Sequence, residues 1–403
     1  MLNVTRLLCG RATPGDALRY GEAVSHPHAA PLQPTVHHRP VVVWNVTRRC
    51  NLHCLHCYST SQDRDYPGEL TSAEARALLD DLAGYRVPVV LFSGGEPLLR
   101  HDLFELLPYA AQKGLRVGLS TNGTLITQEV ASRLKAAGVL YAGISIDGME
   151  DANDRFRGVR GAFREALAGI RNTMAVGLRV SLRFTLTRRN MGELDSVFEL
   201  VEREGIPRLC IYHLAYAGRA TRVPDLALDS SEARAAVDSI FRWTQEFHRR
   251  GLDTEVLTVD NHADGAYMVL RLAQEDPQRA KEVLALLRRN GGNASGIGIA
   301  CVDNLGNVHA DQFWWGYSFG NVRQRPFSRV WEDTSDPLMR GLKDRKHLLT
   351  GRCSRCRFLD ICNGNLRVRA EAAHGDVWAA DPACYLTDEE IGAVTAGAHG
   401  SGQ

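Results

Sequence analysis

The stretch Val41-Val-Val-Trp44-Asn-Val-Thr-Arg-Arg-Cys50-Asn-Leu-His-Cys54-Leu-His-Cys57 runs an apolar, β-branched segment straight into three thiols at C-x3-C-x2-C spacing. An apolar run this short, ending in polar residues, reads as a buried strand. Each of the three cysteines can reach one iron of a [4Fe–4S] cube, because thiolates are its usual protein ligands. The fourth iron then lacks a protein ligand, and an open metal position marks chemistry rather than scaffolding. Two plainer readings compete. The thiols could share a zinc ion with a distant fourth ligand, such as His53 or His56, or they could form disulfides. A disulfide framework suits short secreted chains, whereas this chain has 403 residues and no secretory apolar region at its start.

A second apolar run, Val87–Phe92, leads into Ser93-Gly94-Gly95-Glu96-Pro97. Paired glycines at a strand end let backbone approach a ligand closely, since no Cβ intervenes. A carboxylate at Glu96 can pair with an ammonium group. Gly-Gly by itself would equally make a plain β-turn. Taken together, the two motifs resemble the radical S-adenosylmethionine (SAM) superfamily. The resemblance implies that Cys50, Cys54 and Cys57 hold a [4Fe–4S] cluster whose open iron takes the amino and carboxylate groups of SAM. It implies that Gly94, Gly95, Glu96 and Pro97 hold the methionine amino group. An electron from the cluster would cleave the sulfonium and yield a 5′-deoxyadenosyl radical.

Composition narrows the class. A formal net charge of +1 argues against a generic nucleic-acid or membrane-surface binder. No apolar stretch reaches the roughly eighteen residues of a membrane-spanning helix. Thiolate ligands for iron–sulfur chemistry need a reducing compartment, which points to the cytoplasm. Residues 1–40 carry Pro, His and Gly without periodicity and read as a flexible extension, with His28, His37 and His38 solvated.

From residue 41 onward, short β-rich runs alternate with amphipathic segments, the pattern of a parallel α/β sheet. Strands are expected at 41–46, 88–93, 115–120, 139–146, 178–186 and 208–214. Helices are expected near 72–84, 101–113, 127–137, 161–175 and 192–204, with Thr71 and Glu74 as a capping box. Six such units make a partial (β/α)6 TIM-like barrel over residues 41–225, which places chemistry at the C-terminal strand ends. Ser120-Thr-Asn122-Gly and Ser145-Ile-Asp-Gly148 end the third and fourth helix-linked repeats. Both resemble family motifs around the ribose and carboxylate of SAM, which implies contacts from Asn122 and Ser145. Arg157 also matches a family pattern, or braces its loop by ion pairing. Residues 226–295 read as two helices with an extended break at Glu255–Val259, a bridge between domains.

Near the C-terminus, Cys353, Cys356, Cys362 and Cys384 offer four soft ligands, enough for a zinc site or a fully ligated cluster. Their spacing resembles the second auxiliary cluster of SPASM extensions. The resemblance implies a SPASM-like auxiliary Fe–S domain over 296–403 and one auxiliary [4Fe–4S] cluster. Leu366 and Asp311 stand where two cysteines of the seven-cysteine SPASM pattern would be, so the first auxiliary cluster is expected to be absent. Cys9, Cys210 and Cys301 read as packed core thiols.

Further stretches narrow the resemblance. Trp44-Asn-Val-Thr-Arg-Arg-Cys50, Asp65-Tyr-Pro-Gly-Glu-Leu70, Asp311-Gln-Phe-Trp-Trp315 and Asp381-Pro-Ala-Cys384-Tyr resemble the NirJ family of heme d1 biosynthesis. That likeness implies removal of propionate side chains from 12,18-didecarboxysiroheme, with flavodoxin or ferredoxin as electron donor. A flat apolar macrocycle wants aromatic walls, and its carboxylates want cations. Phe313, Trp314, Trp315 and Tyr317 are candidates for the wall, and Arg183, Arg219, Arg323, Arg325 and Arg367 for the cations. Aromatic clusters in small domains also pack cores. His213, at a strand end, is a candidate proton donor or iron ligand facing the barrel mouth, or else a satisfied core histidine.

Three rival readings stand beside this one. A heme-pathway relative would remove acetate chains on the way to iron-coproporphyrin, or decarboxylate propionates to vinyls. A SPASM peptide maturase would commonly carry an N-terminal recognition domain, for which residues 1–40 are too short. A non-catalytic electron carrier would have no use for Gly94-Gly-Glu-Pro97.

Overall fold

The computed structural model describes residues 1–21 and 39–392. Among these residues ten strands form one sheet: β1 (Leu2–Asn3), β2 (Val41–Asn45), β3 (Val90–Ser93), β4 (Val117–Thr121), β5 (Val139–Ser145), β6 (Arg179–Leu186), β7 (Arg208–His213), β8 (Glu255–Val259), β9 (Ile299–Val302) and β10 (Val308–His309). Their order is β1-β8-β7-β6-β5-β4-β3-β2-β9-β10, so the sheet stays open. From β8 across to β9 all neighbours are parallel, and antiparallel β1 and β10 close off the two edges. Covering an edge this way removes a template for unwanted pairing.

The six expected strands all form, in order and within two residues of their expected starts. Helices follow them as the periodicity requires. After α1 (Val4–Cys9) and α2 (Asp16–Tyr20) come α3 (Ser72–Gly84), α4 (Leu103–Gln112), α5 (Gln128–Ala136), α6 (Glu150–Arg157), α7 (Ala162–Ala175) and α8 (Leu194–Arg203). The Thr71 hydroxyl accepts from the Glu74 N–H while Glu74 accepts from the Thr71 N–H, the capping box that starts α3. Strand alternation sorts the side chains. Trp44, Phe92, Leu119, Ile144, Phe184 and Ile211 are buried in one core cluster with the helices. The opposite, polar face carries Asn45, Ser120, Tyr141, Arg183, Cys210 and Tyr212.

Three expectations change. The parallel series extends beyond six strands, because β9 pairs with β2 and β8 pairs with β7. Residues read as a helical bridge therefore supply a strand of the main sheet, and three helices rather than two: α9 (Ser230–Arg249), α10 (Ala263–Glu275) and α11 (Pro277–Asn290). The start of the chain is not a loose extension through residue 21. β1 pairs with β8, and Asn3, Thr13 and Arg19 converge on Glu255. His28, His37 and His38 lie outside the described residues.

The C-terminal part has short helices, Phe327–Glu332, Pro337–Lys343, Leu359–Cys362 and Arg367–His374. Arg369 docks it on the sheet. Its fully buried guanidinium pairs with Asp381 at 2.9 Å and donates to the Leu214 and Asp260 carbonyls, just past β7 and β8. Among the described residues no helix is long and apolar enough to cross a membrane.

Candidate active site at the strand ends

Cys50, Cys54 and Cys57 follow β2, with the first two buried, the third half-buried, and none in a disulfide. The loop takes its shape from its own return and from the last turn of α6. The Cys50 N–H donates to the Gln62 carbonyl, His53 N–H to Arg157, and Leu55 N–H to Phe156, all at 3.0 Å. Arg219 donates to the carbonyls of Cys54 and Ser61 at 2.7 and 2.8 Å. Donors also surround the sulfurs. The Arg157 guanidinium lies 3.6 Å from Cys54 Sγ and 2.5 Å from Asp147 Oδ2. The Leu52 N–H and the Asn122 amide lie 3.5 and 3.9 Å from Cys50 Sγ.

Burial pushes the Cys50 and Cys54 thiols up, and Arg157 opposes this at Cys54. Bound iron overrides such burial and deprotonates a coordinating thiol outright. Donors aimed at sulfur suit thiolates that carry charge in a cluster. Among the described residues no three His, Cys, Asp or Glu side chains converge as ligands of one metal ion. A cube instead takes each thiolate on a separate iron. His53 is exposed, while burial holds the His56 imidazole down at about 4, beside the Asp147–Arg157 pair.

The Gly94–Pro97 loop packs backbone to backbone against this lead-in. The Gly95 N–H donates to Thr47 O at 2.8 Å, and the Glu96 N–H to Arg49 O at 2.7 Å. A Cβ on Gly95 would lie 2.2 Å from Arg49 O, and one on Gly94 would lie 2.4 Å from Thr47 O. Gly95→Ala is therefore expected to displace the cysteine loop and lower SAM affinity by tenfold or more, on the order of 1–3 kcal/mol. Equilibrium binding of SAM to the reconstituted variant checks this.

Glu96 is fully buried, and its two oxygens are already engaged. They accept from the Thr121 hydroxyl at 2.7 Å, the Asn122 N–H at 2.8 Å and the Leu98 N–H at 3.1 Å. Burial raises its carboxyl to about 7 against those hydrogen bonds. These bonds brace the ends of β3 and β4 and fix where the carboxylate stands, with acceptor capacity left on its oxygens. Pro97 opens the 3-10 turn Pro97–Leu99. Asn122 gives its amide to Asn51 Oδ1 at 2.8 Å and so positions the cysteine loop. Ser145 stands half-buried at the end of β5, opposite Arg183 in register.

Comparison with known proteins agrees with this geometry. Residues 44–201 match the Radical SAM superfamily. The chain is 53% identical over 395 residues to the Fe-coproporphyrin III synthase of Methanosarcina barkeri, covering 97% of this chain and 99% of that one. It is 44% identical over 362 residues to the pre-heme d1 synthase of Dinoroseobacter shibae, covering 89% of each. The chain belongs to the radical SAM superfamily. The structure of Streptococcus suis SuiB bound to S-adenosylmethionine shares the fold, with a TM-score of 0.68, 18% identity, and coverage of 87% of this chain and 78% of that one. This radical SAM protein is accordingly an enzyme that uses SAM and a [4Fe–4S] cluster.

In the C-terminal part of the radical SAM enzyme, Cys353, Cys356, Cys362 and Cys384 line one pocket of about 390 Å³, including space open to solvent. Apolar neighbours Ala266, Phe358 and Leu386 share its wall. Burial and the other three thiols push the Cys362 thiol well up, so the four sulfurs sense one another. Leu366 is a core residue, and Asp311 is held by the Ser295 hydroxyl at 2.5 Å and the Phe313 N–H at 2.8 Å. Both positions serve packing. Cys301 is buried 3.3 Å from the Asn45 amide, and Cys210 lies 3.1 Å from the Ser181 hydroxyl.

The structure separates the substrate-contact candidates. Trp314 is buried, with its N–H donated to Glu371 at 2.6 Å, whereas Trp315 and Phe313 pack on Tyr58 beside the cysteine loop. Tyr317 is exposed and bound to Asp336. Arg323 pairs with Glu74, Arg325 with Asp333, and Arg367 donates to carbonyls of its own domain. His213 does not face the strand-end mouth. It shares the helix side of β7 with Leu209 and Ile211, 2.9 Å from Asp264, which also accepts from the Tyr385 hydroxyl. Tyr58 and Asp147 fall inside stretches that carry the family resemblance, whereas Asn51 and Tyr212 have no assigned role in the sequence reading. Alternation along β7 is the available signal for Tyr212, while Asn51 needs its tertiary contact with Asn122.

Proposed function

We propose that this radical SAM enzyme removes carboxylate-bearing side chains from an iron tetrapyrrole, with 12,18-didecarboxysiroheme as the substrate. The observation that carries this reading is near full-length identity to two proteins named for making iron-tetrapyrrole products. Two outcomes fit that kinship: loss of propionates, as in the NirJ resemblance, and loss of acetates, favoured by the 53% identity to the Fe-coproporphyrin III synthase.

Cys50, Cys54 and Cys57 would hold the SAM-binding cluster, and Cys353, Cys356, Cys362 and Cys384 an auxiliary one. When bound, SAM and its cluster supply a carbon-centred radical able to take a hydrogen atom from a side chain. The chain's own residues do the positioning. Gly94, Gly95 and Pro97 shape the backbone cradle, Glu96 would meet the SAM amino group, and Asn122 and Ser145 would contact SAM from the ends of β4 and β5. An electron donor of the flavodoxin or ferredoxin type, and a reducing cytoplasm, follow from the cluster chemistry.

Cys356→Ser is expected to lose the auxiliary cluster and substrate turnover while retaining the first cluster and SAM cleavage. Iron content with deoxyadenosine and tetrapyrrole analysis checks this. The function itself is tested anaerobically with reconstituted enzyme, SAM, reductant and 12,18-didecarboxysiroheme. A mass loss matching propionate removal supports one reading, and a loss matching acetate removal supports the other. Deoxyadenosine with unchanged tetrapyrrole would overturn the substrate class.

A further inference from the structure

The polar face of the sheet holds a cation with no counter-ion among the described residues. Arg183, on β6, lies flat across β5 and donates to the Ser120 hydroxyl on β4. It crosses at Gly143, where a Cβ would stand 2.2 Å from its Nε. Glycine there is the space in which the guanidinium rests. Gly118 does the same for the Tyr141 ring, whose atoms come within 2.6 Å of a Cβ position.

Around Arg183 stand Tyr212, whose ring centroid is 5.9 Å away, together with Tyr141, Tyr58 and Cys210. No carboxylate is among these neighbours, and Nε has no hydrogen-bond partner. Most other arginines near the site are satisfied by acids or carbonyls, as Arg157 is by Asp147 and Arg219 by Cys54 and Ser61. Leaving a desolvated charge unpaired is costly, and an incoming anion would offset that cost. The residue is half-buried, not sealed, and it stands level with Ser145 at the strand ends. Tyr58 links this spot to Phe313 and Trp315, with ring centroids 5.4 and 6.3 Å from its own. One charged fork beside flat aromatic surfaces matches a planar ligand with a carboxylate arm.

We infer that Arg183 receives a carboxylate of the tetrapyrrole and so fixes how the macrocycle lies over the strand ends. The inference rests on the tetrapyrrole reading above. Its test is anaerobic absorbance titration of the reconstituted enzyme with iron-coproporphyrin III and with its methyl ester. Wild type is expected to prefer the free acid. Arg183→Met is expected to weaken the acid roughly ten- to a hundredfold and leave the ester unchanged. Arg183→Lys, which keeps charge but not the fork, should fall between the two. Equal affinities in wild type and Arg183→Met would overturn the inference, as would equal losses for acid and ester. A loss of SAM affinity with acid affinity unchanged would assign Arg183 to the SAM carboxylate instead. If wild type binds neither probe, the tetrapyrrole reading fails first and takes this inference with it. Iron content and SAM binding of each variant show that it has folded.

Discussion

Cys54→Ala is expected to bring SAM cleavage down to background while the chain keeps about half of its reconstituted iron. Cys54 is the middle thiol of its loop, buried, with its backbone fixed by Arg219 and its sulfur facing Arg157. Removing it leaves two thiolates where three are needed to hold a cube with one open iron. It also leaves the guanidinium of Arg157 facing a methyl group where it faced a charged sulfur. The four C-terminal cysteines line a separate pocket with residues of α10, so their iron should stay. Deoxyadenosine measured by chromatography, alongside iron per chain, reads both halves of the expectation. Undiminished deoxyadenosine would remove these three cysteines from the catalytic centre. Loss of all iron would mean that the two sites assemble as one unit.

Much of this site could be read from local pattern. Six strands, five helices, the cysteine spacing and the glycine pair each need only a window of ten to twenty residues, where hydrophobic period and turn chemistry act. The missing parts depend on partners far along the chain. Glu255–Val259 is legible as an extended break between helices, but its pairing with the open edge of β7 is not. β9 joins β2 across more than 250 residues of sequence, which no local signal encodes.

The same distinction separates the side chains. Ligand types were legible because thiols at fixed spacing are rare, whereas the role of Glu96 depends on β4 lying beside it. The sequence offers the carboxylate, and the fold adds that Thr121 and Asn122 hold it in place. His213 shows a reading that alternation alone could have corrected, since Leu209 and Ile211 share its side of β7. Of five candidate arginines, Arg323 and Arg325 meet acids and Arg219 and Arg367 meet carbonyls, and only the tertiary fold shows that Arg183 meets just the Ser120 hydroxyl among the described residues. Gly143 is the residue that makes this arrangement possible, and in sequence it is one glycine among 37.

Glu255→Gln is expected to destabilise the protein by on the order of 3 kcal/mol at neutral pH and to free the first 21 residues. The carboxylate is 2% exposed at the start of β8. Arg19 lies 2.8 Å away, Arg208 2.5 Å, Arg179 3.2 Å and the Thr13 hydroxyl 2.7 Å. Burial pushes this carboxyl up, but Arg19, Arg208 and Thr13 more than offset it and hold it down at about 2. An amide in its place would leave Arg179 and Arg208 facing each other without an anion, and Arg19 with Asp16 alone. Because the folded value lies below the ordinary 4.5, the contribution is fully present above pH 4.5 and is lost as pH falls through 2. The gap in urea midpoint between wild-type and variant apoprotein should therefore be constant from pH 7 to about 4.5 and shrink below it. Trypsin should cut the variant first after Arg6, Arg11 or Arg19, where β1, α1 and α2 now hold the chain against the sheet. A variant with the wild-type midpoint at pH 7 and the same cleavage pattern would show that this cluster does not anchor the N-terminal segment.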